Sequence, residues 1–225
     1  MLFDNLYIMI LASEIEKRLQ SSDYDGLLIF LEKELEEHPS DDEIRLRLAL
    51  LLQSAFVGDY HSALRLLGAN PNDIKSVVLR AYIEDTFQGE ISSTSLENIY
   101  DIIIKKDFQS EYQNLVFLLQ AFYYRFKDKN SYMEALLNSI KYDPFASYNY
   151  VLLSEMYSSD GDNEKAFQYL KTGISNILRI YSDMEYIDVT NFSEFVNERL
   201  RGIHITKVNY EELTLRLNTI EKTKD

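Results

Sequence analysis

The 225-residue chain contains no cysteine, no tryptophan, three prolines and seven glycines, and its 23 basic side chains are outnumbered by 37 acidic ones. Without cysteine there is no disulfide framework, no thiolate nucleophile and no cysteine-ligated metal, and a reducing compartment suits the composition. So few prolines and glycines argue against a strand-rich fold, which spends many such residues on turns. A net charge of −14 repels phosphate backbones and anionic bilayers, which argues against nucleic-acid and membrane partners and for basic or neutral ones. No apolar run approaches the ~18 residues that span a bilayer; the densest, residues 46–57, is broken by Arg47 and Gln53. The apolar start, residues 1–11, is interrupted by Asp4 and followed by Glu14 and Glu16, so it reads as an amphipathic helix rather than a signal peptide. The expectation is a cytoplasmic protein.

What the chain has is helical period. Apolar residues recur at three and four positions in Leu27, Leu28, Leu31 and Leu35, in Ile44, Leu48, Leu51 and Leu52, in Leu115, Leu118, Leu119 and Phe122, and in Leu152, Leu153, Met156 and Tyr157. Breaks fall at residues 21–23, 58–59, 68–71, 127–130 and 158–163, and at Gly89. This predicts about ten helices joined by short loops. Pro39, Pro71 and Pro144 each stand between two such helices, where proline ends one and pre-sets φ for the next. The first two lie 32 positions apart and the last two 73, close to twice one repeat. An unmarked boundary is therefore expected near Asp107, where Lys105, Lys106 and Asp107 follow the apolar run Ile102 to Ile104.

Residues 147–178 carry the clearest unit: Tyr150, Leu153, Ser154, Tyr157, Ala166 and Leu170, with Gly173 at a position that wants a small residue. One unit earlier, Val116, Leu119, Tyr123, Leu136, Ser139 and Pro144 take the same places, with Gln120 and Tyr132 replacing small residues. After Pro39, Leu48, Ala49 and Ala63 fit with about two residues inserted before Gly58; after Pro71 only Ala81 and a helix from Thr94 to Ile104 do. This pattern resembles the tetratricopeptide-repeat family, in degenerate form. The resemblance implies an all-α, right-handed α-α solenoid of about five helix pairs in one domain, with repeats over residues 1–180 and capping helices over 181–225. In the cap, Thr190 or Asn191 would start one helix and Asn209, with Glu212, the last.

Chemistry is sparse. His38, His61 and His204 lack metalloprotease spacing, and Asp160 to Glu164 fails as a calcium loop because Lys165 and Lys171 stand where glycine and glutamate are required. No cofactor or metal is expected. Arg199 and His204 have the Arg-x4-His spacing of HEPN-family ribonucleases, although Gly202 lies between them. The aromatics say more: there are 17 tyrosines and 12 phenylalanines. In the tetratricopeptide-like register the groove-facing positions are Leu46, Leu50 and Gln53; Val78, Tyr82 and Asp85; Phe117, Ala121, Tyr124 and Arg125; and Tyr148, Val151 and Glu155. Aromatics and aliphatics mixed with a few charges suit a protein-binding surface. The reading is a non-enzymatic interaction module that holds a peptide or protein, with Tyr82, Phe117, Tyr124 and Tyr148 as anchors and Asp85 and Glu155 selecting basic groups. A more specific version is an immunity or inhibitor protein for a basic toxin. The alternatives are the ribonuclease and a peptide-sensing regulatory adaptor.

Overall fold

The computed structural model describes residues 2–54, 57–68, 73–105, 113–180 and 207–222. Its described residues fall into two compact units, up to Gly89 and from Glu90 onward. In the first unit α1 (Leu2–Gln20), α2 (Tyr24–Glu37), α3 (Asp42–Gln53), α4 (Tyr60–Leu67) and α5 (Ile74–Ile83) follow one another, and α5 runs on into a π-helical turn, Glu84–Gln88. In the second are α6 (Ser93–Lys105), α7 (Gln113–Tyr124), α8 (Lys129–Tyr142), α9 (Ser147–Ser159), α10 (Asn163–Ile180) and α11 (Lys207–Lys222). Within each unit the packing runs mainly between chain neighbours, with α3 also touching α5, as in a stack of helical hairpins.

Short aspartate-ended turns start the helices. The carboxylates of Asp23, Asp41, Asp59, Asp73, Asp128 and Asp162 accept hydrogen bonds from backbone N–H groups in the first turns of α2, α3, α4, α5, α8 and α10. Each satisfies donors that the helix itself leaves unpaired. Among these, Asp23, Asp59, Asp128 and Asp162 begin the second helices of their pairs, and Ser92 does the same for α6, its Oγ accepting from Ser95 N at 3.3 Å. These five starts recur every 33–36 residues, a tighter ruler than the prolines. Two of the turns also close the preceding helix. Ser22 N and Asp23 N donate to Leu19 O and Arg18 O, and Gly161 N and Asp162 N donate to Ser158 O and Tyr157 O. This is the Schellman arrangement, in which one aspartate ends one helix and starts the next. It places Gly161 at φ 76° and Ser22 at φ 56°, the left-handed region that a side chain makes costly.

The packing follows the small-residue pattern. Ala49, Ala63, Ala81, Ala121, Ser154 and Ala166 are all buried. A Cβ added at Gly173 on α10 would sit 3.1 Å from Tyr150 Cβ and 3.3 Å from Ser147 O, so glycine there lets α10 lie close on α9. A polar junction joins α7, α8 and α9: Ser139 Oγ donates to Asn114 O at 2.8 Å while accepting from Asn149 Nδ2 at 2.8 Å. Ser139 and Asn149 are both buried, so these bonds supply partners that water cannot. In the first unit, Tyr7 on α1 donates to Glu34 on α2 at 2.7 Å. Burial first, then that bond, pushes the Tyr7 phenol well above its ordinary pKa.

The unmarked boundary expected near Asp107 falls between α6 and α7, and residues 106–112 lie outside the described ones. So do Pro71, Thr190, Asn191, Arg199 and His204. Asn209, expected to begin the last helix, lies inside α11, which starts at Lys207.

Two outcomes follow for stability. Ser22→Gly relieves a left-handed residue and should raise unfolding free energy by about 0.5–1 kcal/mol in urea titration. The carboxyl of Asp59 is held below its usual pKa by the Ser62 hydroxyl and backbone N–H, that of Asp128 by the Ser131 N–H, and that of Asp162 by the Lys165 side chain and N–H. Folded pKa values depressed in this way add stability that is present above the unfolded carboxylate pKa of about 4 and lost as pH falls through the lower folded values. Replacing all three by asparagine keeps the caps but removes the titration. The urea midpoint of that variant should fall less steeply below pH 4 than that of the native chain.

Candidate protein-interaction face

In the second unit, α7 buries Leu115, Leu118, Leu119 and Phe122. The 3.6-residue period then leaves Phe117, Gln120 and Tyr124 half-buried along the opposite edge. Neighbouring aromatics extend this edge. Phe117 stacks on Tyr142 with centroids 5.4 Å apart, and Tyr142 is 57% exposed. At the other end, Tyr123 stacks on Tyr100 at 5.7 Å and meets Tyr124 edge-on at 5.2 Å. Lys127 Nζ sits 3.5 Å from the Tyr123 ring centroid, and Arg125 lies over Phe126, which is 71% exposed. Cations are favoured beside the C-terminus of α7 by its dipole and over aromatic faces by ring charge. Chemically the edge offers flat, ordered apolar surface with positive charge at one end, which suits binding and supplies no paired acid and base.

The thirteen positions expected to line a groove do not share one exposure. Phe117, Tyr124 and Arg125 are half-buried at the edge just described, and Glu155 on α9 is exposed. Ala121 at 0% and Tyr148 at 7% exposure are core residues, with Tyr148 tilted against Phe122 at 6.3 Å. In the first unit Tyr82, 3% exposed, is core as well, and Asp85 is half-buried at the π-helical turn. Leu46, Leu50, Gln53, Val78 and Val151 are likewise buried. Those members of the expected row therefore support the wall rather than present a surface. The edge residues Tyr100, Phe126 and Tyr142 were missed because they lie on second helices or in a loop, outside the register used to choose groove positions.

Glu155 has a partner within the chain. Arg216 of α11 donates to Glu155 Oε1 at 3.3 Å and to Ser154 Oγ at 3.4 Å. Ile220 of the same helix joins Val151, Ala166, Leu170 and Ile174 in one buried cluster, flanked by Leu213 and Leu217. The C-terminal helix thus covers the apolar side of the last pair, as a cap should.

Among the described residues no group of three or more His, Asp or Glu side chains could hold a metal ion. The turn at Asp160 to Glu164 is the helix connection already described, and no described helix is long and apolar enough to cross a membrane. His38 closes α2, its N–H donating to Glu34 O, and its ring packs on Tyr7 at 5.0 Å.

No protein-family model and no curated protein matches the chain. Solved structures do. "MamA RS-1 ArsTM double mutant" aligns at a TM-score of 0.50 and 15% identity over 78% of this chain and 97% of that one. "Crystal structure of MamA" aligns at 0.49 and 16% identity, covering 73% and 95%. The first likeness shows the fold: this chain is an all-α, tetratricopeptide-like helical repeat protein, as the sequence pattern implied.

The cap can be tested through Ile220, which is buried among the described side chains of α11. Ile220→Ala should cost about 2–5 kcal/mol of the second unit's stability. In hydrogen exchange, protection should fall first in α11 and at the Val151 side of α9, and α7 should keep its protection.

Proposed function

We propose that this chain is a non-enzymatic protein-interaction module, whose second unit takes a peptide or protein partner along the aromatic edge of α7. The observation that carries this reading is the ordered exposure of Phe117, Tyr124, Phe126 and Tyr142. Three of these rings are held by a neighbouring ring and Phe126 lies under Arg125. Rigid, partly exposed aromatics lose little freedom when a partner covers them, and such residues dominate interface energies. The helical-repeat fold supports the same reading by analogy. The acid excess of the whole chain supports a basic partner, and an immunity or inhibitor protein closing over a basic toxin is the version that uses this charge most fully.

The test is site-specific. A photo-crosslinking residue is placed in turn at 117, 124 and 142 in living cells, and the adducts are identified by mass spectrometry. One partner should recur at all three positions. Its capture should fall at least tenfold in Phe117→Ala/Tyr124→Ala/Phe126→Ala, provided that far-UV circular dichroism and the melting temperature show the fold retained. Undiminished capture by that folded variant removes the aromatic edge from the function. Loss of capture with rising salt is expected for a basic partner, and salt-insensitive capture rules out charge as the selector.

A further inference from the structure

The first unit carries a second surface of different chemistry. Helices α2 and α4 both pack on α3, and a cleft of about 700 Å³ lies between them. Its floor is Leu48 and Leu52 of α3, one helical turn apart and both buried. Along one wall, α2 offers Leu28 and Leu35, half-buried and seven residues apart. That spacing is about 10.5 Å along the helix, or two turns. It is a second apolar stripe on α2, since Leu27 and Leu31 already occupy the core. Ile29, 66% exposed, stands on the same helix.

The charges around the cleft are unequal. Among the described lining residues, Glu32 and Glu36 stand on the α2 wall and Asp59 on the α4 side, against a single cation, Arg65. Asp59 is engaged in capping α4 through Ser62, and Arg65 donates to Ser62 Oγ at 2.8 Å. Glu32 and Glu36 form no ion pair within the described residues, and they lie one helical turn apart on the same wall. Acid side chains are common on this protein, but many are consumed as helix caps or in ion pairs. Here two free carboxylates border an apolar trough whose period is that of a helix.

We infer that the α2–α4 cleft is a docking site for a cationic amphipathic helix. Leucine- or isoleucine-sized side chains on successive turns of that helix would lie over Leu48 and Leu52, and its lysines or arginines would meet Glu32 and Glu36. Helix-in-groove recognition reads the partner at i, i+3, i+4 and i+7, which is the spacing the cleft presents. Paired opposite charges along the wall fix register and speed encounter. This site uses none of the α7 residues, so its failure and the failure of the aromatic edge are separable.

The probe is an 18-residue peptide of leucine and lysine with leucines at helical spacing, titrated into the full chain at 0.15 M salt and followed by fluorescence anisotropy and by two-dimensional NMR of the labelled protein. Its controls are the same composition scrambled to remove the apolar face, and a version with glutamate in place of lysine. Binding should exceed the scrambled control at least tenfold and shift resonances of residues 28–36, 48–52 and 57–66. The exposed pair Glu32→Lys/Glu36→Lys should weaken it tenfold or more. The charge-matched pair Glu164→Lys/Glu211→Lys, in the second unit, should leave it unchanged. Equal binding of the scrambled peptide, equal weakening by both variants, shifts centred elsewhere, or no binding would each overturn the assignment. So would a dimer in sedimentation equilibrium that Glu32→Lys/Glu36→Lys dissolves, because the occupant would then be a second copy of this chain.

Discussion

The structure depends on one small device, an aspartate at the start of a helix that sits at the end of a very tight turn. Helices of this length are marginal in water, and packing against neighbours supplies most of their stability. To pack, two consecutive helices must reverse direction within a few residues without leaving buried backbone groups unpaired. Ser22-Asp23 and Gly161-Asp162 achieve this with a left-handed residue followed by a carboxylate. The backbone of that aspartate finishes one helix, and its side chain begins the next. The remaining features of each hairpin, including the close approach at Gly173, presuppose that reversal.

The same device changes the meaning of the charge. A balance of −14 invites the picture of a uniformly acidic surface that selects basic partners. Six aspartates, however, have a structural task as caps, and Glu43, Glu84 and Glu155 are held by Arg47, Arg80 and Arg216. At the C-terminal end of α7 the aromatic edge carries Arg125 and Lys127, so at that end aromatic contact rather than negative charge is the attraction offered, and a basic partner is drawn by carboxylates elsewhere on the chain. Two carboxylates with no ion pair among the described residues, Glu32 and Glu36, stand beside apolar surface on the wall of the α2–α4 cleft.

The fold was legible to the extent that it is written in local chemistry. Pro39 and Pro144 do separate helices, and Ser154, Ala166 and Gly173 mark close contacts that the structure reproduces. The aspartate ruler was equally present in the sequence, yet aspartate is common in an acidic chain and its capping role shows only when the N–H donors can be seen. The expected groove was less legible, because exposure is a property of the whole packing and not of one helix. A single-residue error in register turns a helical face by ~100°. Even in a correct register, α3 is buried along most of its length, which places Leu46, Leu50 and Gln53 in the core. Tyr82 and Tyr148 share that fate because a large aromatic ring at a helix contact is worth more buried than displayed. The α5 extension with π-helical turns had no sequence signal; its end is marked by Gly89 at φ 75° and its outer ring, Phe87, stacks on Tyr60 at 5.2 Å.

What a helical repeat can bind is decided where the repetition is imperfect. In a fully regular stack each helix is covered by its neighbours, and the ridges and grooves of successive units interlock. Here α4 has eight residues against fourteen in α2, or about 12 Å of helix facing about 21 Å. A wall so much shorter than its counterpart cannot cover it, and the leucines at 28 and 35 are left half-buried beside carboxylates that no repeat contact requires. On α7 the departure is one of size: Gln120 stands where the repeat pattern wants a small residue, and aromatic side chains flank it at Phe117 and Tyr124. Both surfaces arise where the repeat departs from its pattern, by a shortened helix in one case and by larger side chains in the other, so degeneracy of the pattern and capacity to bind have a common cause in this chain.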